Sequence, residues 1–186
     1  MSSKTCRFIP RLVALDDRCL PTVTFTLTGT TLQITGDNSG NTITITDTGT
    51  SNGISVIGDG VTWTAPSDVS AIVVTTGTGN DVVEYDLVGP LTTTRLLSAS
   101  LDRGNDTFTA NLNGNLITGS STNLGITVDT GPGKDTTILN ALGATVDPSA
   151  RMSLNVITGP GKDATQFNTD ANFLNNGNVT LTVQRH

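Results

Sequence analysis

The sequence predicts an all-β protein folded as a parallel β-helix or β-roll-like solenoid of about six coils, and three observations carry that expectation. Apolar residues alternate with polar ones in short runs, a Gly-Asp turn motif returns at near-constant spacing, and the composition favours strands over helices. Of 186 residues 35 are Thr, 20 Gly and 16 Asn, while 15 Asp stand against a single Glu and Lys occurs three times. Residues that stabilise an exposed helical face are therefore scarce, whereas strand and turn formers abound. Hydrophobic residues make up 35% and charged residues 14%, against about 45–50% and about 25% in an average globular chain. This is neither a standard globular mixture nor a charged disordered one, and the length allows one domain or one short stack of repeats.

The strands follow in order. Thr22-Val-Thr-Phe-Thr-Leu-Thr28 places Val23, Phe25 and Leu27 on one face, and Asn41-Thr-Ile-Thr-Ile-Thr-Asp47 does the same with Ile43 and Ile45. A period of two bounded by Gly, Asn and Asp is a strand signal, and no period of 3.6 competes with it. Ile54-Ser-Val-Ile57, the Gly58-Asp-Gly60 turn and Val61-Thr-Trp63 read as a shorter coil. Four segments then align without gaps: Gly77-Thr-Gly-Asn-Asp81, Asp102-Arg-Gly-Asn-Asp106, Gly131-Pro-Gly-Lys-Asp135 and Gly159-Pro-Gly-Lys-Asp163. Their terminal aspartates lie 25, 29 and 28 residues apart. Apolar pairs precede each Asp (Ile72/Val74, Leu97/Ala99, Ile126/Val128, Leu154/Val156), and alternating runs that begin at Val83, Phe108, Thr137 and Thr165 follow it. A decayed copy fits with Asn41 in the Asp position, and Asn178-Val-Thr-Leu-Thr-Val183 reads as a last rung.

A unit of about 25 residues with two short strands cannot bury its apolar face alone, so copies must stack. Parallel stacking about 4.8 Å apart gives a solenoid. It places Val74, Ala99, Val128 and Val156 in one core column and Val83, Phe108, Thr137 and Thr165 in another. Asp86, Asn111, Asn140 and Asn168, each five residues beyond its turn aspartate, fall at one height and form a side-chain ladder. An antiparallel sandwich also shows short strands at regular spacing, but its strands do not usually keep a fixed register to one repeated turn.

Charge divides the chain into a basic leader, residues 1–21, and an acidic solenoid domain, residues 22–186. The leader carries Lys4, Arg7, Arg11 and Arg18 against Asp16 and Asp17, whereas the rest holds six basic and fourteen acidic side chains. Such an acidic body disfavours nucleic acid and anionic membrane and favours a cationic partner. Cys6 and Cys19 both lie in the leader, so no disulfide staples the body. No run of about 18 apolar residues suggests a transmembrane helix, and no continuous apolar stretch of a conventional signal peptide is visible. The segment Arg11-Leu-Val-Ala-Leu-Asp-Asp-Arg-Cys-Leu-Pro-Thr22 resembles the N-terminal sorting segment of planctomycete surface and secreted proteins, with Arg11, Leu12, Leu15, Arg18 and Pro21 in place. Asp16 or Asp17 stands for its usual Glu and Thr22 for its usual Ser. The resemblance implies a secreted or cell-envelope destination.

The turn motif is the one candidate for chemistry. It resembles the calcium-binding nonapeptide of the repeat-in-toxin family, G-G-x-G-x-D-x-U-x, in a degenerate form with one turn every 25–29 residues instead of back-to-back copies. The resemblance implies metal ligation at Asp81, Asp106, Asp135 and Asp163, with Gly79, Gly104, Gly133 and Gly161 shaping the turns. Calcium takes six to eight oxygen ligands, which stacked turns would supply as carboxylates and backbone carbonyls. The local alternative is that each Asp accepts backbone N–H bonds within its own turn. The one histidine, His186, ends the chain, which argues against His-based catalysis. An enzyme reading, a carbohydrate-binding or polysaccharide-degrading β-helix, would draw on Asp81, Glu84 and Asp86 and on Arg95, Arg103 and Arg151, all of which also read as a solvated charged face. The expected function is therefore a non-enzymatic structural or adhesive repeat protein whose turns bind calcium and whose partners are extracellular polysaccharide or other surface proteins.

Overall fold

A computed structural model describes residues 23–119, 122–174 and 176–185. The basic leader, its sorting-segment resemblance, both cysteines and His186 lie outside the described residues.

The alternating runs become strands as their period requires. The first five are β1 (Thr24–Thr28), β2 (Thr31–Thr35), β3 (Thr42–Asp47), β4 (Ile54–Gly58) and β5 (Val61–Thr64). Then come β6 (Ala71–Thr75), β7 (Val82–Leu87), β8 (Arg95–Ser100), β9 (Thr107–Asn111) and the short β10 (Leu116–Ile117). The chain continues through β11 (Asn123–Asp129), β12 (Thr136–Ala141), the short β13 (Thr145–Val146), β14 (Arg151–Thr158) and β15 (Ala164–Thr169). It closes with a single helical turn, α1 (Ala171–Leu174), and β16 (Val179–Arg185).

Two seven-stranded sheets form the walls, in the orders β1-β2-β6-β8-β11-β14-β16 and β15-β12-β9-β7-β3-β4-β5. From β2 to β16 and from β3 to β15 neighbouring strands pair in parallel. The chain therefore passes from one wall to the other and climbs one rung per repeat. A short third side is built where Leu91 bridges Ile117 and β10 pairs with β13.

Register is as the repeats dictate. Val74, Ala99, Val128, Val156 and Val183 are successive partners in one wall. Val83, Phe108, Thr137 and Thr165 are successive partners in the other. Between the walls the inward residues of the inner strands form one buried cluster, against which the partly buried Phe25 and Leu27 of β1, Trp63 of β5 and Val179 and Leu181 of β16 pack. Outward, Asn111 Nδ2 donates to Asp86 (2.6 Å), Asn140 Nδ2 to Asn111 (2.7 Å) and Asn168 Nδ2 to Asn140 (2.7 Å). This is the expected ladder, and each amide satisfies its neighbour on the next rung.

The solenoid has about four turns, not six. The segment expected to make a short coil instead folds back on itself: β4 pairs antiparallel with β3, and β5 with β4. In the same way β1 returns antiparallel onto β2. These hairpins widen the two walls at their first edges without adding a coil. They close that end of the core with Phe25 and Trp63, whose rings stack 6.3 Å apart.

Candidate functional site

The four turn aspartates form a column along one edge of the solenoid. Asp106 Oδ1 accepts the backbone N–H of Asp81 at 2.8 Å, and Asp135 Oδ1 that of Asp106 at 2.9 Å. Asp163 Oδ1 accepts from the Asp135 N–H at 3.1 Å, and Asp81 Oδ1 from the Asn41 N–H at 2.7 Å. Each carboxylate thus reaches back one coil and holds the equivalent residue there. The local alternative needs correction, because these bonds tie neighbouring coils together and do not close the aspartate's own turn. Asn41 is the degenerate copy: it receives the clamp from Asp81, while its own amide turns to Asp37 and Asp59.

A second ladder runs in the opposite sense one residue earlier. Asn80 Oδ1 accepts the N–H of Asn105 (2.8 Å), and Asn105 Oδ1 accepts that of Lys134 (3.1 Å). Lysine at 134 and 162 cannot accept, so this ladder stops there.

The glycines have two separate duties. A methyl group at Gly104, Gly133 or Gly161 would run into the carbonyl oxygen of Gly79, Gly104 or Gly133 on the preceding coil. Only a residue without a Cβ allows that approach, which brings Gly104, Gly133 and Gly161 into parallel bridges. The first position of the motif takes a positive φ in three of the four copies, +85° at Gly77, +70° at Gly131 and +61° at Asp102, whereas at Gly159 it is the close approach of the Gly131 carbonyl that excludes a Cβ. Asp tolerates the left-handed region better than most side chains, so the second copy departs from glycine without losing its turn.

Asp81, Asp106 and Asp135 are buried, and the Oδ2 atom of each has no hydrogen-bond partner. Burial raises all three carboxyls above the ordinary range, partly offset by the N–H that each accepts. Asp106 is pushed up to about 6, with the Asp81, Asp135 and Asp102 carboxylates adding to the effect of burial. The residue five places before the turn aspartate explains why it differs. Thr76 and Thr130 set a hydroxyl near Asp81 and Asp135, which lowers those carboxyls somewhat, whereas the same position before Asp106 is Leu101.

A second constellation lies inside the core. Asp47 Oδ2 accepts from Arg95 Nε at 2.6 Å and from the Tyr85 hydroxyl at 2.7 Å. Its Oδ1 accepts from Arg95 Nη2 at 3.1 Å and from the Gly49 N–H at 2.8 Å. Arg95 Nη2 also donates to the Thr50 carbonyl at 2.8 Å, and Nη1 is buried without a partner. Both side chains of the ion pair are fully buried, and burial next to Asp47 raises the Tyr85 phenol well above its ordinary value. Placing Arg95 on a solvated face is thereby corrected. The signal was present, because Arg95 alternates in phase with Leu97 and Ala99, and Asp47 with Ile43 and Ile45.

Of the carboxylates offered for an enzyme, Glu84 and Asp86 are brought together and Asp81 stands apart from them. Asp81 is buried in its turn, while Glu84 and Asp86 both accept from the Asn111 amide on the outer face, at 2.7 and 2.6 Å. Arg103 and Arg151 are exposed. No group of three or more His, Cys, Asp or Glu side chains able to hold a metal occurs among the described residues, and no described helix is long and apolar enough to cross a membrane. What these features define is a parallel β-solenoid whose repeated motif clamps coil to coil. The chain matches no known protein family, no curated protein and no solved structure in the comparisons made.

Proposed function

We propose that this chain is a non-enzymatic repeat protein of the cell envelope or secreted space, a short rigid stalk or spacer that displays or joins other surface components. One observation carries the reading: the residues repeated most faithfully, Gly-x-Gly-x-Asp, are engaged in holding neighbouring coils together. The destination rests on the likeness of residues 11–22 to a planctomycete sorting segment. Extracellular polysaccharide or another surface protein is the partner class suited to such a stalk. Incubation with a panel of acidic polysaccharides should release neither reducing ends nor unsaturated products. Release of either would overturn the reading in favour of a polysaccharide-degrading enzyme.

Calcium at the turns is a second reading, favoured by the unpartnered Oδ2 atoms of Asp81, Asp106 and Asp135. These oxygens, with backbone carbonyls of adjacent turns, are the donors that a hard cation would take, and the bound ion would neutralise the like charges of the column. A ligand that binds only the folded state raises its melting temperature. Millimolar calcium should therefore raise the melting temperature of the unaltered chain, and Asp135→Asn with Asp163→Asn should reduce the rise. No rise in the unaltered chain would leave the aspartates as coil clamps alone.

A further inference from the structure

Arg151 takes no part in the coil clamp or the ladders. It opens β14 with an exposed side chain, and the one ion pair among the described residues joins Asp47 to Arg95. Arg151 instead borders a groove of about 350 Å³ on the outer face of the wall that holds β8, β11, β14 and β16. The groove comes from one outward row. Thr31, Ala71, Leu96, Gly125, Ser153 and Thr180 are successive partners across this wall, so the row drops from leucine to no side chain at all and rises through serine to threonine. Parallel strands lie about 4.8 Å apart, which sets the Leu96 and Thr180 backbones about 14 Å apart. Nothing in the fold demands the glycine at 125. Its φ is outside the left-handed region, and a Cβ there would meet only the tip of the Leu96 side chain, at 2.9 Å, and the Ser153 hydroxyl, at 3.7 Å. A glycine that weakens a strand interior often marks a place where a ligand comes close.

The side chains around this gap are of three kinds. Leu96, 51% exposed, forms an apolar flank, and Ser153 and Thr180 bring exposed hydroxyls. Arg151 and Asn178 stand at one end, where the Asn178 amide is fixed by its bond to the Pro148 carbonyl at 3.0 Å. Among the described residues no carboxylate and no aromatic ring lines the groove. The acidic residues nearest to it in the chain are otherwise placed. Asp129 ends β11, about 13 Å along the strand from Gly125, and Asp147 accepts from the Ser149 N–H and hydroxyl. Arginine offers a planar fork that takes a carboxylate with two parallel hydrogen bonds. Such a cation beside hydroxyls and one apolar flank suits a pyranose ring that carries a carboxylate, with the ring's C–H face on Leu96 and its hydroxyls at Ser153 and Thr180. A nucleotide would want a ring to stack on, and the groove has none.

The geometry points to this groove as a binding site for a uronic acid residue of an acidic polysaccharide, held at its carboxylate by Arg151. The choice of a polysaccharide over a free sugar acid rests on the surface role proposed above. The test is a chemical-shift titration of the isotope-labelled full chain with the α-1,4-linked trisaccharide of galacturonic acid, its methyl ester, free galacturonic acid and inorganic phosphate. The trisaccharide at millimolar concentration should move the amides of Gly125, Ser153 and Thr180. The ester and phosphate should bind at least tenfold more weakly, and the free acid at least fivefold, because the groove is longer than one ring. Arg151→Gln and Gly125→Thr, which fills the floor, should each weaken trisaccharide binding at least tenfold, and Arg103→Gln, at the turn edge, should leave it unchanged. The proposal is overturned by still amides, by equal binding of the ester, phosphate or free acid, by full binding in Arg151→Gln, or by an equal loss in Arg103→Gln. If Gly125→Thr fails to fold, Arg151→Gln decides the matter alone, since an exposed arginine contributes little to folding. Any of these failures leaves the stalk reading standing, because that reading falls on the release of reducing ends or unsaturated products.

Discussion

Asp106 is the residue at which the coil clamp works least comfortably. Its carboxyl is buried between those of Asp81 and Asp135, lacks the nearby hydroxyl that the other two have, and is raised to about 6. A carboxyl raised on folding binds protons more tightly in the native state than in the unfolded one. Its contribution to stability is therefore complete below the ordinary Asp value, near 3.8, and is lost as pH rises through about 6. Asp147 and Asp170 act in the opposite direction: hydrogen bonds from Ser149 hold the first low, and the N–H groups of Phe173 and Gly143 hold the second. Their stabilisation is present above the ordinary value and falls away below it. Comparison with a variant cancels these background terms. Asp106→Asn keeps an oxygen for the Asp81 N–H and removes the charge, so its melting temperature relative to the unaltered chain should climb between pH 4 and pH 7.5. A difference that stays flat with pH would mean that Asp106 is not held as a buried, raised carboxyl. The sequence showed which residue repeats and where, but the direction of its bond was hidden, because an Asx residue in a turn ordinarily serves that turn.

Among the strands, the least expected arrangement is the ion pair that joins three consecutive coils. Asp47 ends β3, Tyr85 lies on β7 and Arg95 begins β8, so one carboxylate ties the first wall segment to strands from the next two repeats. Removing one member of a buried pair leaves the other uncompensated, at a cost of about 3–5 kcal/mol, whereas replacing the whole group by apolar residues is often neutral or better. Arg95→Met should therefore destabilise the chain by that amount in denaturant unfolding. The triple change Asp47→Leu, Tyr85→Phe and Arg95→Met should recover most of it. Equal losses in the single and triple variants would contradict a buried, mutually satisfied group. Alternation alone would have placed both charges inward, since each shares the phase of its core neighbours. Arg95 nonetheless reads as solvated because charge at a repeat edge usually is, and a partner 48 residues away leaves no local mark.

For the molecule as a whole, the repeat was the legible part. Four motif copies in fixed register fixed the parallel stacking, both core columns, the Asn ladder and the last rung at β16, because each depends only on equivalence between coils. The number of coils was harder to read, since period-two alternation reveals a strand without its direction. Asp59 and Gly60, with φ of +47° and +81°, make a two-residue hairpin turn between β4 and β5. An Asp-Gly pair between two alternating runs is itself a hairpin signal, and weighing it above the repeat spacing would have given the antiparallel end. The inter-coil clamp is the feature on which both fold and proposed role depend. It can be observed directly by NMR, as a scalar coupling across the hydrogen bond from a backbone amide nitrogen to a side-chain carboxyl carbon. Couplings should connect the amides of Asn41, Asp81, Asp106 and Asp135 to the carboxyl carbons of Asp81, Asp106, Asp135 and Asp163 respectively. Couplings confined within each turn, or amides at these four positions that exchange freely with solvent, would contradict it.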